Sequence, residues 1–438
     1  MRVLFTVFAA KPHLFNQVPL AWALRAAGHE VRVASQPDLA EAITRTGLTA
    51  VPVGDALDLA GSFRDPGGGP GGDGRRLTGV TDPDPERLDW NGILGVFTLG
   101  CAVEYEHITS RSVVDDLVEF CRDWEPDLVV WDALTFAGAI AARACGAAHA
   151  RMLFGLDYTS RMLDVYEDRM ALLPVEQRDD PVSDWLAGRL ARYDVPYDPS
   201  LDRELMTGQW TIDPTPEWMQ LPLAVDRLGM RHVTYNGPTG VQPWVPEVPD
   251  RPRVCFSMGM SGRELLGRDK VSVSGDGRGE DPVGSVLRAL AELDIELVAT
   301  LTADQRAAVG ELPDNVRAVD FVPLNDLLPT CAAVVHHGGF GTVGSVLPHA
   351  VPSVTVPAPW WDEAALGRHL AERGAGILVE PEEATPEVLR DGVARLLKEP
   401  SFATAAREVR AELMRVPPPA GIVEQLVERV GAARRARG

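Results

Sequence analysis

The sequence predicts an α/β protein of two doubly wound parallel-sheet domains facing across a cleft, and three observations carry that prediction. Apolar runs of strand length alternate with helical stretches from Val3 onward. The alternation stops at a proline-rich segment, residues 236–252, and then restarts. At 438 residues the chain is too long for one ordinary domain, and two is the natural division.

Val3 to Val7 is the first strand. Phe8 to His13 reads as a loop into a helix whose apolar face includes Leu20, Leu24 and Ala27. Pro19 fits only near the start of that helix, and Gly28 suits its C-terminal cap. Val31 to Ala34, a helix to about Thr46, and Leu48 to Val53 complete a β-α-β-α-β unit, which means a parallel sheet with right-handed crossovers. Residues 61–90, with Pro66 to Gly72 and the steps Asp82-Pro83 and Asp84-Pro85, form a long loop expected to be mobile. Helical periodicity returns at Val113 to Trp124. Asp127 to Trp131 is a buried strand with Asp132 at its carboxyl end. A helix at Ala137 to Cys145 and a strand at His149 to Phe154 follow, and residues 155–220 read as mostly helical and irregular.

Beyond the prolines, Arg253 to Phe256 is a strand ending in the turn Ser257 to Ser261, followed by a polar insertion at 262–282. Strands are predicted at Glu296 to Thr300, Val316 to Val319, Ala332 to Val335, Ser353 to Val356 and Gly376 to Val379. Helices are predicted at 284–293, 324–330, 342–347, 363–373, 386–397 and 401–414. The strand at Ala332 runs into His336-His337 and then Gly338, Gly339, Gly341 and Gly344 before a helix beginning at Thr342. Strand, glycine turn and helix start make an anion site, since the backbone can approach a phosphate and free N–H groups point at it.

Two readings of that anion site compete. Gly339, Gly341 and Gly344 fit G-x-G-x-x-G, the dinucleotide fingerprint, with Asp362 and Glu363 about 20 residues on. That fingerprint places its acid at the tip of the next strand, whereas Asp362 lies beyond the loop Pro357-Ala358-Pro359-Trp360-Trp361. The histidines favour a sugar nucleotide held by its diphosphate. Adjacent strand residues point to opposite faces, so His336 and His337 do not chelate one metal, and His336 reads as a packing or hydrogen-bonding residue.

Bulk composition excludes several classes. A net charge of −21 argues against nucleic acid and anionic membranes as partners. Five scattered cysteines without C-x-x-C spacing point to a reducing cytoplasm and no structural metal. Met1 to Ala10 reads as a strand rather than a signal peptide, and no run is long enough to span a bilayer.

Several segments together resemble a GT-B glycosyltransferase of family 1, and within it the actinobacterial enzymes that attach deoxysugars to macrolide and aromatic polyketides. They are His13 with Pro19 to Val31, Gly208-Gln209-Trp210-Thr211-Ile212-Asp213-Pro214, Tyr235-Asn236-Gly237-Pro238 and His336-His337-Gly338-Gly339. The resemblance covers nearly the whole chain. It implies an acceptor-binding domain at 1–235, a linker at 236–252, a nucleotide-sugar domain at 253–415, and a C-terminal helix at 416–438 that can pack back on the first domain. His337 matches the diphosphate-contacting histidine, with Gly339, Phe340, Gly341 and Thr342 giving helix-start contacts. Ser257 to Gly259 matches the loop under the diphosphate, and Phe321 to Leu324, including Val322, lines the nucleobase. Asp362 and Glu363 fall where relatives contact sugar hydroxyls, often with Asp-Gln; the alternative is a pair capping the following helix.

The mechanism so implied is inverting and metal-independent, with TDP-sugar as substrate and no cofactor. His13 and Asp132 both follow parallel strands and so project into one crevice, where a carboxylate can fix and activate an imidazole base. The family pattern agrees with His13 as base. The helix start and His337 would stabilise the departing diphosphate. Two other readings stay open: a sugar-nucleotide epimerase of the same fold, and a non-catalytic sugar-nucleotide-binding protein. The acceptor is expected to be a largely apolar polyketide, met by Leu94 to Cys101 and Met152 to Leu173 or covered by the 61–90 loop. The resemblance also implies an auxiliary protein similar to a cytochrome without haem, engaging residues 61–124, where aromatics of Trp90 to Tyr105 look exposed. It is compatible with a homodimer.

Overall fold

The computed structural model describes residues 1–57, 79–247, 249–259 and 282–437. Most of the expected 61–90 loop and nearly all of the 262–282 insertion lie outside these residues. The chain divides into two units, Met1–His232 with Pro417–Gly438, and Val233–Val416.

The first unit holds a seven-stranded sheet in the order β3-β2-β1-β4-β5-β6-β7. Its strands are β1 (Arg2–Thr6), β2 (Glu30–Ser35), β3 (Thr49–Pro52), β4 (Leu128–Asp132), β5 (Ala148–Met152), β6 (Trp210–Asp213) and β7 (Arg227–Gly229). Every pairing is parallel. Strand β4 is buried along its whole length, which a sheet covered on both faces requires. The second unit holds six strands in the order β10-β9-β8-β11-β12-β13. They are β8 (Arg253–Ser257), β9 (Glu296–Thr300), β10 (Val316–Val319), β11 (Cys331–His336), β12 (Ser353–Thr355) and β13 (Gly376–Leu378), again all parallel. The two sheets and their helices form a GT-B architecture.

Local chemistry accounts for the helices between them. In Arg111–Trp124 the side chains of Val113, Val114, Leu117, Val118, Cys121 and Trp124 fall on one buried face, at the spacing an amphipathic helix needs. Ser110 accepts the Val113 N–H at its N-terminus, a cap contributing about 1 kcal/mol. The helix packs on Ala137–Cys145, whose small residues allow close approach and whose end is fixed by Gly146 at φ +77°. The C-terminal helix Val423–Arg437 belongs to the first unit, where Arg429 pairs with Asp226 at 2.6 Å and Arg434 with Asp127.

Three expectations need correction. The helix after β1 spans Lys11–Ala26, so His13 lies in its first turn rather than in a loop, and Pro19 is internal. Pro12 near its start supplies the helical φ that begins the helix early. The interior proline forfeits one backbone bond, and tertiary bonds on the same stretch offset it: Asn16 to the Leu153 carbonyl at 2.9 Å and Gln17 to the Thr6 carbonyl at 3.2 Å. Strand β6 lies within residues 155–220, read as mostly helical and irregular, and β7 follows in a stretch given no element. The aromatics of Trp90 to Tyr105 are not exposed: Phe97 and Tyr105 are buried and Trp90 stacks on Tyr166 at 5.5 Å. The exposed large apolar side chains there are Leu99 and Val103, one helical turn apart.

Among the described residues, no helix is long and apolar enough to cross a membrane.

Candidate active site

In each unit the chain changes direction between two central strands, β1 and β4 in the first and β8 and β11 in the second. Open parallel sheets bind ligands beyond the strand carboxyl ends at such a point. His13 and Asp132 meet there in the first unit, and Ser257, Gly259, His337 and Gly339 lie there in the second.

In the first unit, Asp132 ends β4 and His13 stands in the first turn after β1. The His13 Nδ1 lies 2.8 Å from Asp132 Oδ2. A carboxylate only accepts, so Nδ1 carries the proton and Nε2 is left as the basic nitrogen. Asp132 is fully buried, and its second oxygen accepts the Leu134 N–H at 3.1 Å, so its orientation is fixed from both sides. The His13 ring sits between Phe8 and Phe154, with centroids 4.5 and 4.4 Å away. Backbone bonds secure those aromatics: Phe8 N–H donates to Thr135 Oγ1 at 3.1 Å, and Leu153 N–H to the Ile212 carbonyl at 3.0 Å. The sequence did not single out Phe8 and Phe154; their signal was only that each follows a strand running toward the same edge.

In the second unit, Ser257 ends β8 and pairs in register with His336, the last residue of β11. His336 is fully enclosed and its Nδ1 accepts the Gly338 N–H at 2.9 Å. Burial, together with the neighbouring His337, holds its pKa down to about 3, so it is a neutral structural histidine. His337 follows the strand and lies against two glycines. A Cβ on Gly259 would fall 2.7 Å from His337 Nε2 and 2.9 Å from Nδ1 and closer still to Cε1; one on Gly339 would fall 3.0 Å from Cε1 and closer still to Nε2. A side chain at either position would displace the ring. The residue is partly exposed, yet this enclosure lowers its pKa to about 4 by burial, so the imidazole is neutral near pH 7. Its Nδ1 has no protein partner among the described residues.

The helix after this turn spans Phe340–Val346, two residues earlier than predicted. Gly339 is its N-cap, since its carbonyl already accepts the N–H groups of Thr342 and Val343 at 2.9 and 3.0 Å. Thr342 is therefore inside the first turn with its N–H used, while Gly339 to Gly341 form the approach. The Val322 side chain packs with Val245, Cys255, Leu327, Val334 and Val346, so only its backbone is available to a ligand. Ser257 Oγ accepts from Thr300 Oγ1 at 3.0 Å.

Asp362 and Glu363 are both buried. Asp362 precedes the helix Glu363–Glu372 without a side-chain cap bond, which removes capping as its explanation. Glu363 Oε2 accepts the Trp361 N–H at 2.7 Å. Burial raises its pKa to about 7, opposed by the backbone N–H groups from Trp360 to Glu363 around it. Among the described residues no three His, Cys, Asp or Glu side chains gather to hold a metal ion.

Comparison with known proteins fits this arrangement. The erythromycin biosynthesis protein CIII-like N-terminal domain family matches residues 22–259, and the corresponding C-terminal domain family matches residues 284–429. The aclacinomycin-T 2-deoxy-L-fucose transferase of Streptomyces galilaeus is 46% identical across 100% of this chain and 98% of its own. The 10-deoxymethynolide desosaminyltransferase of Streptomyces venezuelae is 47% identical across 99% of this chain and 98% of its own. Among solved structures, the glycosyltransferase VinC in complex with dTDP superposes with a TM-score of 0.87 at 43% identity, covering 99% of this chain and 100% of that one. The fold and these relatives thus define a GT-B glycosyltransferase of the nucleotide-deoxysugar type. The chain belongs to the erythromycin biosynthesis protein CIII-like family, whose members include antibiotic deoxysugar transferases.

Proposed function

We propose that this enzyme transfers a deoxysugar from a TDP-sugar to a hydroxyl of a macrolide or aromatic polyketide aglycone, with inversion at the anomeric carbon and without a metal. The observation that carries the reading is the 2.8 Å bond between His13 Nδ1 and Asp132, which leaves Nε2 basic at the sheet's ligand-binding edge. His13 Nε2 takes the acceptor proton as the acceptor oxygen bonds to the anomeric carbon. The bond from that carbon to the diphosphate oxygen breaks, and TDP leaves with its electron pair. Asp132 stabilises the imidazolium formed, an arrangement contributing roughly 10²- to 10⁴-fold to rate.

On the donor side, His337 with Gly339, Phe340, Gly341 and Thr342 receives the diphosphate. Ser257 and Gly259 lie beneath it, the Val322 backbone borders the base, and Asp362 and Glu363 meet the sugar. Neutral His337 offers an N–H to developing charge, as donors placed for a leaving group do. Retention of tight TDP-sugar binding with loss of turnover in His13→Ala supports the base assignment; near-wild-type turnover removes it.

The reading extends to a partner. Leu99 and Val103, 64% and 40% exposed on an otherwise apolar helical stretch, support docking of the auxiliary cytochrome-like protein on this part of the first unit. Full activity of the isolated enzyme, unchanged on adding that protein, would remove the partner. Five cysteines, none in a disulfide, accord with a cytoplasmic setting. Light scattering of the purified chain tests the homodimer.

A further inference from the structure

We infer that Arg151 and Asp157, which no functional reading above uses, are positioning residues that hold the aromatic wall of His13. The inference rests on His13 being the base. Arg151 is completely buried in β5, facing Trp131 and Thr211 in register on either side. A guanidinium there is costly unless fully paired. Its two terminal nitrogens are paired, while Nε has no partner among the described residues: Nη1 bonds Asp157 Oδ1 at 3.0 Å and Nη2 bonds Asp157 Oδ2 at 2.5 Å, a two-pronged ion pair. Nη2 also reaches Ser160 Oγ at 2.9 Å and Thr211 Oγ1 at 3.1 Å. Asp157 is itself the N-cap of the helix Tyr158–Ala171, accepting the Ser160 N–H at 3.1 Å.

This pair closes a loop. Chain leaves β5 at Met152 and enters the helix at Tyr158, and the ion pair ties residue 151 to residue 157 across it. Between them Leu153 donates to Ile212 and accepts from Asn16 at 2.9 Å, and Gly155 accepts from Thr215 Oγ1 at 3.4 Å. Asn16 lies one turn beyond His13 on the same helix. Phe154 is thereby fixed with its ring 4.4 Å from that of His13. A buried ion pair is weak as a stabilising device, since an apolar pair of similar volume often does as well. Its rigid geometry is what the site uses: it sets where Phe154 stands, and hence the ring that must meet the acceptor hydroxyl.

The test compares the parent with Arg151→Met/Asp157→Asn, which removes both charges together while Asn keeps the helix cap, and with Phe154→Leu, which keeps the ion pair. Steady-state kinetics and ¹H–¹³C spectra of labelled histidine rings are recorded for each. Positioning predicts that kcat falls about 10- to 100-fold in both, the loss expected for a misplaced reacting group, with KM for the TDP-sugar unchanged. It also predicts that the His13 ring resonance, identified by its absence in His13→Ala, moves as the aromatic ring shifts or goes. A folded double variant with parental kcat and an unmoved His13 resonance overturns the inference, as does parental kcat in Phe154→Leu. Failure of the base reading looks different: His13→Ala would keep turnover while the resonance still moved in the other variants.

Discussion

Adding one methyl group at Gly259 should cripple donor binding while leaving the first unit untouched. Gly259 has φ +77°, a conformation that costs alanine roughly 1–2 kcal/mol. Its new Cβ would lie 2.7 Å from His337 Nε2 and closer still to Cε1, where ordinary contact begins at 3.4 Å, so the ring must retreat by more than 0.7 Å. Gly339 blocks retreat on its own side, because the ring already fills the space a Cβ would take there. The imidazole then loses the hydrogen bond proposed for it to the diphosphate, worth about 1.5–3 kcal/mol for a charged acceptor. That loss weakens TDP binding roughly 10- to 100-fold. Titration calorimetry of Gly259→Ala with TDP measures it directly, with thermal unfolding recorded beside it to register the backbone strain. A Kd for TDP within about twofold of the parent would refute the assignment of His337 to the diphosphate.

Asp132→Asn should lower kcat by roughly 10²- to 10⁴-fold with the donor KM unchanged, because the amide no longer fixes the His13 tautomer. His336, held neutral with a pKa near 3, stabilises the second unit fully above its unfolded value of 6.5 and progressively less as pH falls below it. Denaturant unfolding at pH 5 should find that contribution reduced by about 2 kcal/mol, and His336→Asn should flatten the dependence. Glu363 has the opposite sign: its pKa is raised from 4.5 to about 7, so its contribution is present below 4.5 and lost as pH rises through 7. The stability difference between Glu363→Gln and parent should therefore move in favour of glutamine across that window, and a flat difference would contradict the burial.

Residues placed at strand ends were the most legible in the chain. A buried apolar run followed by a polar residue announces both a parallel strand and the edge where ligands bind, which is why Asp132, Ser257 and His337 could be placed at or just past strand ends from sequence. Helix starts were less so, because they depend on backbone capping: Pro12 begins one helix early, and the Gly339 carbonyl begins another at Phe340. Strands β6 and β7 are short, and β6 follows a helical turn by two residues, leaving little periodicity to read. What Glu363 accepts, and which carboxylate answers Arg151, are facts of tertiary packing. Arginine within Ala148–Met152, with an acid six residues on, was the one available hint of the latter.

The central claim is inverting transfer to an acceptor. Its most direct measurement is the anomeric configuration of the product formed from a TDP-deoxysugar of known configuration and a polyketide aglycone, in the presence of a chelator. NMR coupling at the anomeric proton, with chromatography of the released nucleotide, reads it. Inverting transfer without a metal predicts one sugar added per TDP released, an inverted anomeric centre, and a rate indifferent to the chelator. A retained centre, or conversion of the donor to an epimer without any aglycone, would contradict it.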